Sequence, residues 1–279
     1  MARRNFEPPP PASVRLVPAV ERAIRVLDTL ATAERPLSLA ELARALSLPR
    51  SSLHGLLATL VQLDLARRDT EACFRLGARP VQWASAWNGQ AEVVESFQRQ
   101  ARTLAALESE TIMLAALDGT EVVYLACRPG QRALEINFRV GGRLPAAIAS
   151  SGKAILASLT DAQVRDRLAN HAFERITRHS VGSLNALLRQ LQSIRKTGHA
   201  IDDEEAAEGM LCLGAAVPAR ADHNSTAGAH HAVAVSVIKA GLTTRRRREL
   251  EQAVRKLATA ISEDLHPADA AGGRAPVRG

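Results

Sequence analysis

Five acids crowd into seven residues at Asp202, Asp203, Glu204, Glu205 and Glu208, and Cys212 follows shortly after. Paired carboxylates are the currency of acid–base work, and a thiol beside a base is a nucleophile. Neither reading completes itself, because no histidine stands between Asp202 and Cys212 and the spacing fits no metal loop. A solvated turn is the plainer reading. A second stretch, "IASSGKAIL", invites a phosphate-loop interpretation but lacks the residues for it. Ala147 stands where the first glycine is needed, and Ala154 where a hydroxyl should follow Lys153. What survives is a helix start, at which Ser150, Ser151 and Gly152 would turn backbone N–H groups toward a carboxylate. An ordinary N-cap by Ser150 or Ser151 is the alternative. The third stretch, "SLPRSSLHGLLATL", carries Arg50, Ser51, Ser52, His54, Gly55 and Thr59 opposite a leucine stripe. Short polar groups on one flank of an anchored helix suit the major groove of a duplex, with Arg50 free to clamp a phosphate or a guanine. Helical packing with a solvated outer face is the competing reading.

These groups need elements to position them. Val20, Ala23, Ile24, Leu27, Leu30 and Ala31 recur at helical spacing and predict a first helix ending before "ERP". Ser38 followed by Glu41 is a capping box for a second helix with Leu39, Leu42, Ala43 and Leu46 on its apolar face. "SLP" breaks it, and Leu53, Leu56, Leu57 and Leu60 carry a third helix. A hairpin with Arg67, Arg68 and Arg75 follows, placing cations where they could track a nucleic-acid backbone. Helix, helix, tight turn, helix, hairpin is the order of a winged helix-turn-helix, with Ser38 counted among its DNA-facing residues. From Thr111 the period shortens. "TIMLAAL" and "EVVYLAC" read as strands joined at Asp118-Gly119, "LEINFRVG" as a third, and "MLCLGAAVPA" with "HHAVAVSVIKA" as a final pair around the loop "RADHNSTAGAH". Helices are expected from Ser150, over 160–169 and 183–197, and from Thr243 to Leu265.

The chain is 279 residues long, 46% hydrophobic and only 3% aromatic, with a formal charge of +7. That length and apolar content provide two cores, and the basic excess fits nucleic acid. Scarce aromatics argue against stacking platforms for single strands. Cys73, Cys127 and Cys212 lie far apart, which suits a reduced, cytoplasmic chain. No apolar run is long enough for a membrane span, and the Pro-rich beginning has no secretory apolar stretch. The histidines His223, His230 and His231 read as a solvated loop rather than a metal site. The four arginines of "TTRRRREL" read as a solvated face or subunit contact.

"AVERAIRVLDTLATAERPLSLAELARALSLPRSSLHGLLATLVQLDLARRD…CFRLG" resembles the N-terminal domain of the IclR family of bacterial transcription regulators. "GGRLPAAIASSGKAILASL" and "IDDEEAAEGMLCLGAAV" resemble the two hallmark segments of that family's C-terminal domain. The resemblance runs from about Val17 to Leu265. It implies an α+β chain with a winged helix-turn-helix domain at 17–79, a linker helix at 80–97 and a GAF/profilin-like effector domain with an antiparallel sheet at 98–266. Disordered segments at 1–16 and 267–279 would flank them. It further implies that Asp202, Cys212 and Ser236 face an effector pocket with the start of the helix at Ser150. Ile238 stands where the family has a second hydroxyl, which suggests a more apolar wall. Where the family commonly has an arginine after the histidine of its recognition helix, this chain has Gly55.

The expectation is a regulator of duplex operator DNA, tuned by a small organic acid, carboxylated or aromatic. It would act as a dimer or tetramer, off the membrane, with no cofactor, metal or catalytic residue. A small-molecule enzyme using Asp202 and Cys212 is the main alternative. A constitutive DNA binder with a vestigial pocket is the other.

Overall fold

The structure, a computed structural model, describes residues 17–88, 92–131, 138–219 and 228–267. The expected disordered arm and nearly all of the tail, half of the strand read at "LEINFRVG", and most of the loop with His223 lie outside the described residues. Two compact units divide the chain, Met1–Gln90 and Ala91–Gly279. Among the described residues no helix is long and apolar enough to cross a membrane.

In the first unit, α1 (Pro18–Thr32) precedes β1 (Leu37–Ser38), α2 (Leu39–Leu46), α3 (Arg50–Gln62), β2 (Ala66–Arg68), β3 (Cys73–Leu76) and α4 (Arg79–Asn88). The capping box forms as the sequence requires. Ser38 Oγ accepts from the Glu41 N–H at 3.3 Å, and Glu41 Oε2 accepts from the Ser38 N–H at 2.8 Å. Ser47 then turns left-handed at φ 55°, and Leu48 N–H returns to the Ala43 carbonyl at 3.0 Å. Pro49 caps α3 and cannot continue α2, so the turn is built from local chemistry. Leu42, Leu46, Leu53, Leu57 and Leu60 close the core with Val26 and Phe74. The two-residue β1 had no legible period. It pairs Leu37 with Phe74 and makes the wing a three-stranded sheet in the order β1-β3-β2.

The second unit begins with α5 (Glu92–Ala101), so the stretch read as one linker helix contains parts of two helices in different units. Its sheet has six strands, all antiparallel, in the order β6-β5-β4-β9-β8-β7. They are β4 (Thr111–Asp118), β5 (Glu121–Arg128), β6 (Arg143–Pro145), β7 (Ala200–Asp203), β8 (Met210–Ala216) and β9 (His231–Ile238). Among the described residues the strand that pairs with the outer edge of β5 is Arg143–Pro145, and Arg139 to Gly142 form the turn before it. Side-chain alternation gives the sheet two buried faces. Ile112, Leu114, Val233 and Val235 pack under α5 and α9 (Thr244–Leu265). Met113, Tyr124, Ala232 and Ala234 pack under α6 (Ser150–Ala157), α7 (Asp161–Arg167) and α8 (Leu184–Thr197).

Helix α6 lies against β8 backbone to backbone. A Cβ on Gly214 would sit 2.5 Å from the Ser150 backbone, and one on Gly152 would sit 2.4 Å from the Ala146 backbone. Gly214 therefore sets the height of this helix over the sheet, and Gly152 lets the turn at Ala146 lie against its first residues. The arginine run that opens α9 is largely neutralised. Arg245 and Arg246 reach Glu249, Arg246 also reaches Glu110 at 2.9 Å, and Arg247 reaches Glu251.

Candidate DNA-binding face and effector cavity

On α3 the apolar stripe is buried, and Arg50, Ser51, Ser52, His54, Gly55 and Thr59 are all exposed. Ser51 and Ser52 occupy the first turn, as the anion-binding reading needs. Thr59 Oγ1 donates to the Gly55 carbonyl at 3.0 Å. Ser38 is half-buried, and its hydroxyl is engaged with Glu41. In the wing, Arg67 pairs directly opposite Arg75, both exposed. Like charges facing each other across a strand pair weaken a sheet. Arg68 lies opposite Phe74, with its guanidinium 5.8 Å from the ring centroid. All three wing arginines are thus exposed, and Arg68 also rests on an aromatic face.

Gly55 meets nothing within 4 Å of a built Cβ. No steric reason inside this unit demands glycine there. Gly55→Ala is therefore expected to stabilise the first unit by about 0.5–1 kcal/mol through helix propensity. Thermal melting of the full chain checks this, and a lower first transition would show a hidden constraint on the helix.

In the second unit, period-two alternation and register put four polar side chains in one row. Thr111 pairs with Ser236, Ser236 with Cys212, and Cys212 with Asp202, one residue per strand across β4, β9, β8 and β7. Beside the row is a cavity of about 60 Å³ lined by Asp202, Cys212, Ser236 and Ser150, with Met113, Tyr124, Phe138, Leu144 and Met210 as apolar wall. Four of the seven expected effector residues therefore meet. Ser151 and Gly152 are buried in α6 and do not line the cavity. Ile238 is 42% exposed and lines a separate open cleft with Glu110 and Arg246. Ala149, not either serine, is the N-cap of α6, and it offers no side-chain hydrogen bond. The plainer reading of Ser150 and Ser151 as caps is thereby replaced.

The acidic run resolves into separate duties. Asp202 is 3% exposed, and its Oδ1 accepts from the N–H groups of Glu205 at 2.7 Å and Ala206 at 3.2 Å. Burial pushes its carboxyl up to about 6, against the nearby Lys153 charge and those two N–H donors. Asp203 and Glu204 turn outward to Lys239. Glu205 turns inward to Lys153, whose Nζ is fully buried and also donates to the Gln190 side chain at 3.1 Å and the Ile201 carbonyl. Thr177 and Ser180 hold the carbonyls of Glu204 and Glu205. Sequence reasoning missed this lysine–glutamate pair. Its signal was the failed phosphate loop, since a lysine in an otherwise apolar helix needs a buried partner.

Cys212 Sγ lies 3.0 Å from Ser236 Oγ, and burial pushes the thiol well above its ordinary range. A buried thiol held protonated between the Asp202 carboxyl and the Ser236 hydroxyl is a poor nucleophile. Among the described residues no three His, Cys, Asp or Glu side chains converge as a metal cage would require.

Comparison with known proteins fits both units. Residues 19–70 match the profile of the IclR helix-turn-helix domain, and residues 87–263 that of the bacterial transcriptional regulator IclR C-terminal domain. The transcriptional regulator KdgR of Dickeya chrysanthemi is 31% identical over 210 residues, spanning 72% of this chain and 66% of that protein. The crystal structure of the repressor BlcR of Agobacterium tumefaciens is 34% identical, with a TM-score of 0.55, covering 89% of this chain and 97% of that one. An IclR homologue from Microbacterium hydrocarbonoxydans, complexed with 4-hydroxybenzoate, shares the fold at a TM-score of 0.71 and 20% identity, over 90% of this chain and all of that one.

Proposed function

The chain belongs to the IclR family of bacterial DNA-binding transcriptional regulators, and on that premise we propose that it grips an operator with α3 and the wing and changes its grip when a compact organic acid enters the cavity at Asp202. The family is one of regulators rather than enzymes. Arg50, Ser51, Ser52, His54, Gly55 and Thr59 face the major groove in this reading, and Arg67 with Arg75 lies along the phosphates. Ser38 and Arg68 contribute by holding α2 and the wing in place. One such domain contacts few base pairs, so two copies bind two half-sites, as dimers or paired dimers, in the cytoplasm where the operator is.

The observation that carries the effector half is Asp202 itself. A sheet of apolar residues keeps a carboxyl buried, raised to about 6 and turned toward an enclosed cavity. Groups held at such cost to the fold collect at functional sites. Among the described residues no lysine or arginine lines the cavity. A ligand carboxylate is served by the N–H groups that open α6 at Ser150, and Asp202 is left to accept from a hydroxyl. Met113, Tyr124, Phe138 and Leu144 enclose a short aromatic or branched body. The ligand class that fits is a small hydroxy acid, and 4-hydroxybenzoate, found in the Microbacterium homologue, is the first probe. The ligand favours one arrangement of the paired copies over another, and that difference in affinity is what moves operator binding.

A thermal-shift panel of hydroxy acids and their deoxy analogues tests the cavity. A ligand at a hundred times its Kd adds about 2.7 kcal/mol to the second unit. An equal shift by the deoxy analogue, or an unchanged shift in Asp202→Asn, would remove Asp202 from recognition. On the DNA side, Arg75→Glu should act in opposite directions on fold and function. It replaces a repelling cross-strand pair with an attractive one, so the wing does not weaken, while duplex binding falls by more than about tenfold in moderate salt. Filter binding or fluorescence anisotropy against the region upstream of the gene reads the second effect. Undiminished binding would take the wing out of the interface.

A further inference from the structure

The exposed flank of α3 is not flat. Beside it is an open cleft of about 350 Å³, with Ser51, Ser52, Gly55 and Thr59 along one side and Ala19 and Arg22 of α1 among the rest of its lining. Gly55 is what opens it, since a side chain there would project into empty space. Among the described residues Arg22 is the only cationic one that lines this cleft. Its Nε–H donates to the Pro18 carbonyl at 3.0 Å, and among the described residues no carboxylate pairs with it. A half-buried arginine tied to its own helix through Nε keeps its remaining donors for another acceptor. The surface around it adds the hydroxyls of two serines and the N–H groups at the start of α3 as further donors, and no carboxylate is among its described lining.

We propose that Arg22 of α1 is a phosphate contact of the DNA interface, with its guanidinium closing over a backbone phosphate that enters the cleft opened by Gly55. The assignment rests on the reading that the exposed flank of α3 meets a duplex. It adds a residue from outside the helix-turn-helix and gives the absent side chain at position 55 a purpose. The missing bulk lets the phosphate sit deep between two helices, where an arginine from α1 supplies the charge. Bidentate geometry suits an arginine here, whereas a lysine would offer only a point charge.

The test uses the full chain and a mixed-sequence duplex of about three helical turns, titrated at several salt concentrations. Each phosphate contact contributes about 0.9 to the slope of log K against log salt. Arg22→Ala should lower that slope by about this amount and weaken binding several-fold at low salt, with helix content and melting temperature unchanged because alanine suits α1. Gly55→Leu, which fills the cleft, should lower the slope by a similar amount, and adding it to Arg22→Ala should lower it no further. An unchanged slope in Arg22→Ala, alongside a lowered one in Arg75→Glu, overturns the assignment and leaves the interface standing. If both variants bind as the parent does, the interface reading falls and the assignment with it. Loss of slope in Arg22→Ala, with the parent slope kept in Gly55→Leu, places Arg22 on DNA but away from this cleft, and overturns the role given to Gly55.

Discussion

Lys153→Met should destabilise the second unit by about 3–5 kcal/mol, the largest effect of any single exposed-or-buried charge change in this chain. The reason is not the loss of an attraction but the charge left behind. Glu205 would remain buried beneath α6, with only the Val181 N–H at 3.2 Å and the Gln190 amide at 3.3 Å to hold it. Breaking a buried pair strands an ion, whereas replacing both members is often nearly neutral. Lys153→Met combined with Glu205→Gln should therefore recover most of the loss. Urea denaturation of the three variants gives the comparison directly. A single variant within about 1 kcal/mol of the parent would mean that Glu205 finds water or another donor. In that case the pair is not what fixes the turn that presents Asp202.

Asp202→Asn should abolish the effector response while operator affinity without effector stays as it was. It should also stabilise the second unit at neutral pH. The buried carboxyl titrates near 6 in the folded chain, against about 4 when unfolded. A raised folded value means that the native state holds the proton more tightly. Stability from this group is full below about pH 4, falls as pH rises toward 6, and is lost above it. The total is about 3 kcal/mol from that difference. Asparagine keeps Oδ1 for the Glu205 and Ala206 N–H groups and carries no charge to bury. The stability gap between variant and parent should thus open between pH 4 and 6 and level off beyond. Melting temperatures at pH 4.5 and 7.5 provide the check. A gap that does not change with pH would mean that Asp202 is ionised throughout and its environment is wetter than its burial implies.

The sequence was most legible where one chemistry decides one conformation. Ser38 and Glu41 could only be a capping box, the leucines of α3 could only face inward, and a tight reversal at Asp118-Gly119 follows from Gly119 taking φ 59°. The polar row was half legible. Period two put Cys212 on one face of its strand, but pairing with Asp202 and Ser236 is a matter of register, and register comes from neighbours far along the chain. The run of acids was least legible. Its members diverge because Glu204 takes φ 64° and turns the chain, and because Lys153 and Lys239 arrive from opposite directions. Ile238 shows the limit of alternation. It shares a face with Ser236, but β9 ends there and the residue passes beyond the cavity into solvent.

Gly214 leaves no gap between β8 and α6, Gly152 leaves none between α6 and the turn at Ala146, and none of these backbones can give way to a methyl group. The floor of the cavity is therefore a fixed surface, identical for whatever compound arrives. New ligand preferences in this lineage have to be written on the facing side, at Tyr124, Phe138, Leu144 and Met210, where side chains exchange without moving a helix. A library varied at those positions explores chemistry, while one varied at the glycines explores only collapse.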